Sequence, residues 1–135
     1  MTLKELSRLR HLNRECVLEK KRLASLRAAL ERQGAATLFG IAPVVSEAEK
    51  LALREEIAAL EASTVRHLDE ILKQYQRITD FIHTVEDPMG RMILSLRHVN
   101  GLTWEQVAAH IGGENTEDSV RKYHDRHLKE YGITE

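Results

Sequence analysis

The sequence predicts an all-α protein: a long N-terminal helical hairpin of coiled-coil type, followed by a C-terminal tri-helical helix-turn-helix unit. Three observations carry this prediction. Only two prolines and seven glycines interrupt 135 residues, of which 30% are charged, 42% apolar and 4% aromatic. That mix suits long helices that bury a narrow stripe, not a broad aromatic core. In the first two-thirds of the chain apolar residues recur at heptad spacing, and in the last third they form three short periodic runs separated by sharp corners.

The first arm is expected over 3–33. Leu9, Cys16, Leu23 and Leu30 recur every seven residues, with Leu12 and Leu26 three further on and Glu19 standing where a third such residue would fall. Residues 34–45 read as a loop, because Gly34, Gly40 and Pro43 oppose a continuous helix. Leu38, Phe39 and Ile41 in that loop suggest that it folds back to cap the helical core. A second arm is expected over 46–86, opened by Ser46 with Glu49 three residues on, a capping box. Its apolar series is Leu53, Ile57, Leu60, Thr64, Leu68, Ile71, Tyr75, Ile78, Ile82 and Val85. Two consecutive steps of four around Thr64 imply a stutter there.

Neither arm can bury its stripe alone, so the arms pair either within one chain or between two copies. The first 33 residues carry nine basic and four acidic side chains, and residues 44–87 carry five basic and ten acidic ones. Opposite charge on the two arms favours the intrachain hairpin, because like copies of one arm would repel. A homodimer stays open. The second arm is about ten residues longer by this reading, so its end should project beyond the hairpin.

The division into domains is then 1–86 for the hairpin and 87–135 for the C-terminal unit. Asp87 and Pro88 mark an N-cap and first helical position. Met92, Ile93, Leu96 and Val99 follow at helical spacing, and Asn100-Gly101 ends that helix. Thr103 and Gln106 form a second capping box, with Trp104, Val107, Ala108 and Ile111 directed inward and Gly112-Gly113 as the corner. Thr116 caps a third helix, about 117–131, with Val120, Tyr123, His127 or Leu128, and Tyr131 as its buried stripe. Ser119 and His124 fall at the margins of that stripe. A short helix with a small central residue, a glycine turn and a further helix are what a helix-turn-helix needs to lay its last helix in a major groove.

The string ILSLRHVNGLTWEQVAAHIG over 93–112 resembles region 4 of sigma-70-type factors. It resembles still more the sigma-region-4-like regulators of bacteriophages and prophages, the group that includes ArpU-type late-gene regulators. The likeness covers roughly 40 of the 135 residues. It implies a sequence-specific DNA-binding transcription regulator of phage or prophage type, acting on double-stranded DNA and with RNA polymerase as a further partner. Aligned on Val120, it places base and phosphate contacts on Glu117, Asp118, Ser119, Arg121, Lys122 and Arg126. The turn after Gly112 is longer by about two residues than the family's, and the first helical turn is acidic where the family tends to carry arginine. Arg121, Lys122 and Arg126 therefore carry the role over most directly.

On chemical grounds Arg121 or Lys122 suits the guanine O6 and N7 acceptors. Arg126, Lys129 and Thr116 suit phosphates, Asp118 suits cytosine N4, and Asp125 shares the outward face. Against this stands a plain solvated face, since Asp118, Lys122, Asp125 and Lys129 lie at pairing distance along a helix. A rival function is a protein-interaction module that binds polymerase or a sigma factor through the hairpin. A third is a phage DNA-packaging recognition subunit.

No Ser-His-Asp set, phosphate loop, CxxC pair or paired-carboxylate arrangement is placed for chemistry, so neither an enzyme nor a small-molecule substrate or cofactor is expected. The run His124-Asp125-Arg126-His127 has metal-binding residue types but no second cluster beside it, and no metal is expected there. Cys16 is the single cysteine, so no internal disulfide can form. The N-terminus is charged from Lys4 and no apolar run approaches membrane-span length, which predicts a cytoplasmic protein without a membrane partner.

Overall fold

Among the described residues five α-helices make up the architecture: α1 (Leu3–Leu38), α2 (Glu47–His83), α3 (Pro88–Leu94, continuing as a wider π turn over Ser95–Val99), α4 (Trp104–Ile111) and α5 (Glu117–His127). In this computed structural model the described residues are 1–38, 40 and 46–135, without the side chains of 36–38. No strand occurs among them, and a single bridge joins Thr2 to Thr134. The all-α class and the N-terminal hairpin of two long helices packed together are therefore as the sequence predicts.

Element boundaries differ from expectation in an instructive way. α1 passes through Gly34 and runs to Leu38, while α2 stops at His83. A glycine costs a helix only about 1 kcal/mol relative to alanine, less than an established helix can absorb. The arms are thus nearly equal, at 36 and 37 residues, and the longer second arm of the sequence reading is corrected. Thr84 and Val85 instead turn back, their amides donating to Phe81 and Ile82 carbonyls. The capping role expected of Leu38, Phe39 and Ile41 lies outside the described side chains.

Packing divides the chain into two units: Arg14–Glu70, and Met1–Asn13 together with Ile71–Glu135. The 86/87 division marks the break between α2 and α3, whereas the packing unit around α3–α5 also takes in the start of α1 and the end of α2. In the first unit the hairpin seam holds Cys16 and Leu23 from α1 facing Ile57 and Thr64 on α2, all buried. The basic and acidic arms meet in the Arg27–Glu61 ion pair, 2.6 Å long and exposed, which guides pairing more than it stabilises.

The expected stutter is absent. Leu68 is 39% exposed and Tyr75 47%, while the His67 side chain is only 24% exposed. The inward positions of α2 therefore step from Thr64 to His67 to Ile71, an unbroken heptad. Counting apolar residues picks Leu68 because it is a leucine, but the helix turns toward its partner the face three residues on, which is His67.

In the second unit Leu6 and Leu9 of α1 pack with Ile78, Ile82 and Val85, with Leu94 of α3, and with Ile133 from the C-terminal tail. The tail is drawn in because the Leu3 amide donates to the Thr134 carbonyl at 2.7 Å and the Thr134 amide to Met1 at 3.0 Å. A second cluster joins Ile93, Val107, Ala108 and Val120, tying α3, α4 and α5 together. Asp87 does cap α3, accepting from the Met89 amide, with Pro88 in the first turn. Its other carboxylate oxygen accepts from the Tyr123 and Tyr131 hydroxyls, both at 2.6 Å, which fastens the last helix and the tail to the start of α3. Those bonds hold the Asp87 carboxyl below the usual range, the Tyr123 bond most; the Asp87 bond pushes the Tyr123 phenol up, and burial first, then the Asp87 bond, pushes the Tyr131 phenol up.

Candidate nucleic-acid interface

The local sequence sets α5 in place before any packing is considered. Thr116 has extended backbone geometry and accepts from the Ser119 amide at 3.1 Å, while the Ser119 hydroxyl accepts from the Thr116 amide at 2.8 Å. This reciprocal cap satisfies two of the four orphan donors of the helix start, and Glu117 and Asp118 complement its dipole. Upstream, α4 has the predicted capping box of Thr103 and Gln106. Gly112 and Gly113 both take positive φ (75° and 65°), which turns the chain sharply between the two helices.

α5 is shorter than the predicted 117–131: it ends at His127, and Lys129 lies beyond it in a turn. The reason is the tail, where Gly132 takes φ 79° and Ile133 enters the core. The buried side of α5 also differs from the expected stripe. Val120 is buried as predicted, but the next inward residue is His124, only 4% exposed, not a marginal one. The step of four from Val120 pointed to it, and its polarity hid it.

His124 is received by a built pocket. Its Nε2 lies 3.0 Å from Nε2 of buried His98, in the π turn, and its Nδ1 lies 2.9 Å from the Asp125 carboxylate. The carboxylate can only accept, so Nδ1 of His124 carries the proton, its Nε2 accepts, and His98 donates through Nε2. Trp104 meets the His124 ring edge-on at 4.9 Å, and the Arg97 guanidinium sits 4.6 Å over the indole. The extra residue of the π turn, seen in the Asn100 amide donating to the Ser95 carbonyl, rotates His98 inward. Burial pushes both imidazoles down, His98 to about 3, with the neighbouring cations Arg97 and Arg10 adding to the effect at His98.

What the buried side leaves outside is the set selected from the sequence. Thr116, Glu117, Asp118, Ser119, Arg121, Lys122, Asp125, Arg126 and Lys129 are all exposed. The first eight cap or lie on α5. Within the set, Asp118 gathers two cations: Arg121 at 2.9 Å and Lys122 at 2.8 Å. The Lys122 contact first, then Arg121, holds the Asp118 carboxyl below its usual range. The Arg126 Nε donates to the Lys122 carbonyl at 3.4 Å, and the hydroxyls of Thr116 and Ser119 are engaged in the cap. Asp125 bonds inward to His124, so it serves the seating of the helix as well as its outward face.

Comparison with protein-family models, curated proteins and solved structures finds no significant match. None of the helices among the described residues is long and apolar enough to cross a membrane.

Proposed function

We propose that this protein is a DNA-binding transcription regulator of the sigma-region-4-like class, which lays the outward face of α5 in a major groove. One observation carries the reading: α5 is anchored by Val120 and His124 on α3 and α4, while every polar residue selected from the sequence remains outward. Arg121 and Lys122 would contact base edges and Arg126 and Lys129 phosphates, with α4 bracing the helix from behind. With few phosphate contacts, one copy would bind weakly at physiological salt, so a second copy or RNA polymerase would supply the remaining affinity.

Titration of labelled duplexes from the protein's own upstream DNA, followed by anisotropy, tests the reading. Arg121→Ala should weaken target binding by about 1–3 kcal/mol with little effect on helix content. Identical binding curves for wild type, Arg121→Ala and Lys122→Ala would exclude the assignment. The rival, a protein-interaction module with α5 serving only as scaffold, is favoured by the closure of Arg121 and Lys122 onto Asp118. It predicts no saturable DNA binding and retention of polymerase or a sigma factor by the protein.

A further inference from the structure

We propose that Glu15, Glu19 and His67 form a binding site for a borderline divalent transition cation of the zinc type, which cross-links α1 to α2 within the hairpin. Glu15 and Glu19 are one helical turn apart on α1, and His67 faces them from α2. One ligand atom from each lies within 4.8 Å of the others. A tetrahedral zinc with bonds of about 2.1 Å holds its ligands roughly 3.4 Å apart, so modest side-chain rotation closes the set around an ion.

Two further features argue for a site over a chance meeting of polar groups. First, the His67 Nδ1 is shielded from solvent and lacks a directed hydrogen bond, although the Glu19 carboxylate is 2.7 Å away. Two donor groups close together but not aimed at each other suit a shared third point better than a mutual bond. Second, Glu19 is already oriented: its carboxylate lies 3.0 Å from the Thr64 hydroxyl and 3.4 Å from that of Ser63. Metal-binding carboxylates are commonly held by such outer partners.

The charge balance points the same way. Two carboxylates one turn apart repel each other, and Glu19 is only 13% exposed at a seam position that heptad packing would fill with leucine. A cation reverses that repulsion. The imidazole selects zinc-type ions over magnesium or calcium, which prefer all-oxygen sets, and three protein ligands leave a fourth position for water.

The inference does not depend on the DNA-binding reading, and neither stands on the other. The test is calorimetric titration of the full-length, chelator-treated protein with zinc chloride, repeated with cobalt chloride to read the visible absorption of a low-coordinate site. One equivalent should bind saturably and raise the thermal midpoint. Glu15→Gln, at an exposed position that leaves the helix intact, and His67→Gln should each weaken binding by about tenfold or more. His98→Gln should leave it unchanged, which separates this site from the other histidine pair. Absence of saturable binding, or binding that survives both Glu15→Gln and His67→Gln, overturns the proposal.

Discussion

The Nε2 atoms of His98 and His124 face each other at 3.0 Å inside the C-terminal unit, and only one proton fits between them. One imidazole belongs to the π turn after α3 and the other to α5, so the pair joins the candidate recognition helix to its support. Burial makes protonation costly for both imidazoles; at His98 the partner imidazole, Arg97 and Arg10 add to that cost, and at His124 Asp125 offsets part of it.

This gives the fold a definite pH dependence. Both folded imidazoles titrate below the ordinary histidine value, so the unfolded chain binds more protons once the pH drops below about 6.5. Stability is then full above that value and falls as the medium is acidified toward the folded value of His98, about 3. Thermal midpoints measured from pH 8 to pH 5 should decline, and the unfolding free energy should fall with a slope approaching about 1.4 kcal/mol per pH unit for each imidazole that stays neutral. His124→Gln should flatten the slope. A wild-type midpoint that holds constant over this range would mean that the pair accepts a proton without cost.

Gly90 offers a second test, on packing. It is buried in α3, and a Cβ there would overlap the Tyr131 hydroxyl, which Asp87 holds in place. Gly90→Ala should therefore destabilise the protein by about 1–3 kcal/mol, although alanine is the better helix former. Tyr131→Phe alone should cost about 1 kcal/mol for the lost hydrogen bond. Combined, the two should cost less than their sum, because the methyl meets the Tyr131 ring as well as its hydroxyl, and a ring no longer held by Asp87 can move away. Additive losses in denaturant melts would rule out that contact.

The hairpin seam yields a third. Leu68→Gln should shift stability by no more than about 0.5 kcal/mol, since Leu68 lies outside the seam. Ile57→Ala, at a buried position, should cost about 2–5 kcal/mol. If the two substitutions were equally damaging, the helix would have to turn at Thr64 as a stutter requires.

These residues also show where sequence reasoning reaches and where it stops. The caps at Asp87, Thr103 and Thr116 and the corners at Gly101 and Gly112-Gly113 were legible, because each is settled within four or five residues of chain. The outward set on α5 was legible for a similar reason, since Val120 fixes the rotation of a short helix. His67, His98 and His124 were not. Buried His98 and His124 are stabilised by each other from distant elements, and half-buried His67 is likewise brought beside Glu19 across the hairpin, so no local pattern announces these partners. Ile133 was hidden likewise, because the Thr2–Thr134 bridge that brings the tail inward spans the whole chain.

The last prediction concerns Asp118, which holds both cations that the proposed DNA contact needs. In the free protein this closure satisfies Arg121 and Lys122 at the surface. On DNA, phosphates or guanine acceptors must replace the carboxylate. Asp118→Asn removes the competitor and one negative charge from the face. Binding to non-specific duplex should then tighten by about threefold or more at low salt, with a steeper salt dependence, because released cations displace more counterions from the backbone. A base-reading Asp118 would give the opposite signature at the target site: weaker binding and relaxed preference at one cytosine. The two are separated by titrating Asp118→Asn against target and scrambled duplexes at two salt concentrations. Unchanged binding to both duplexes at both concentrations would place Arg121 and Lys122 away from the nucleic acid altogether.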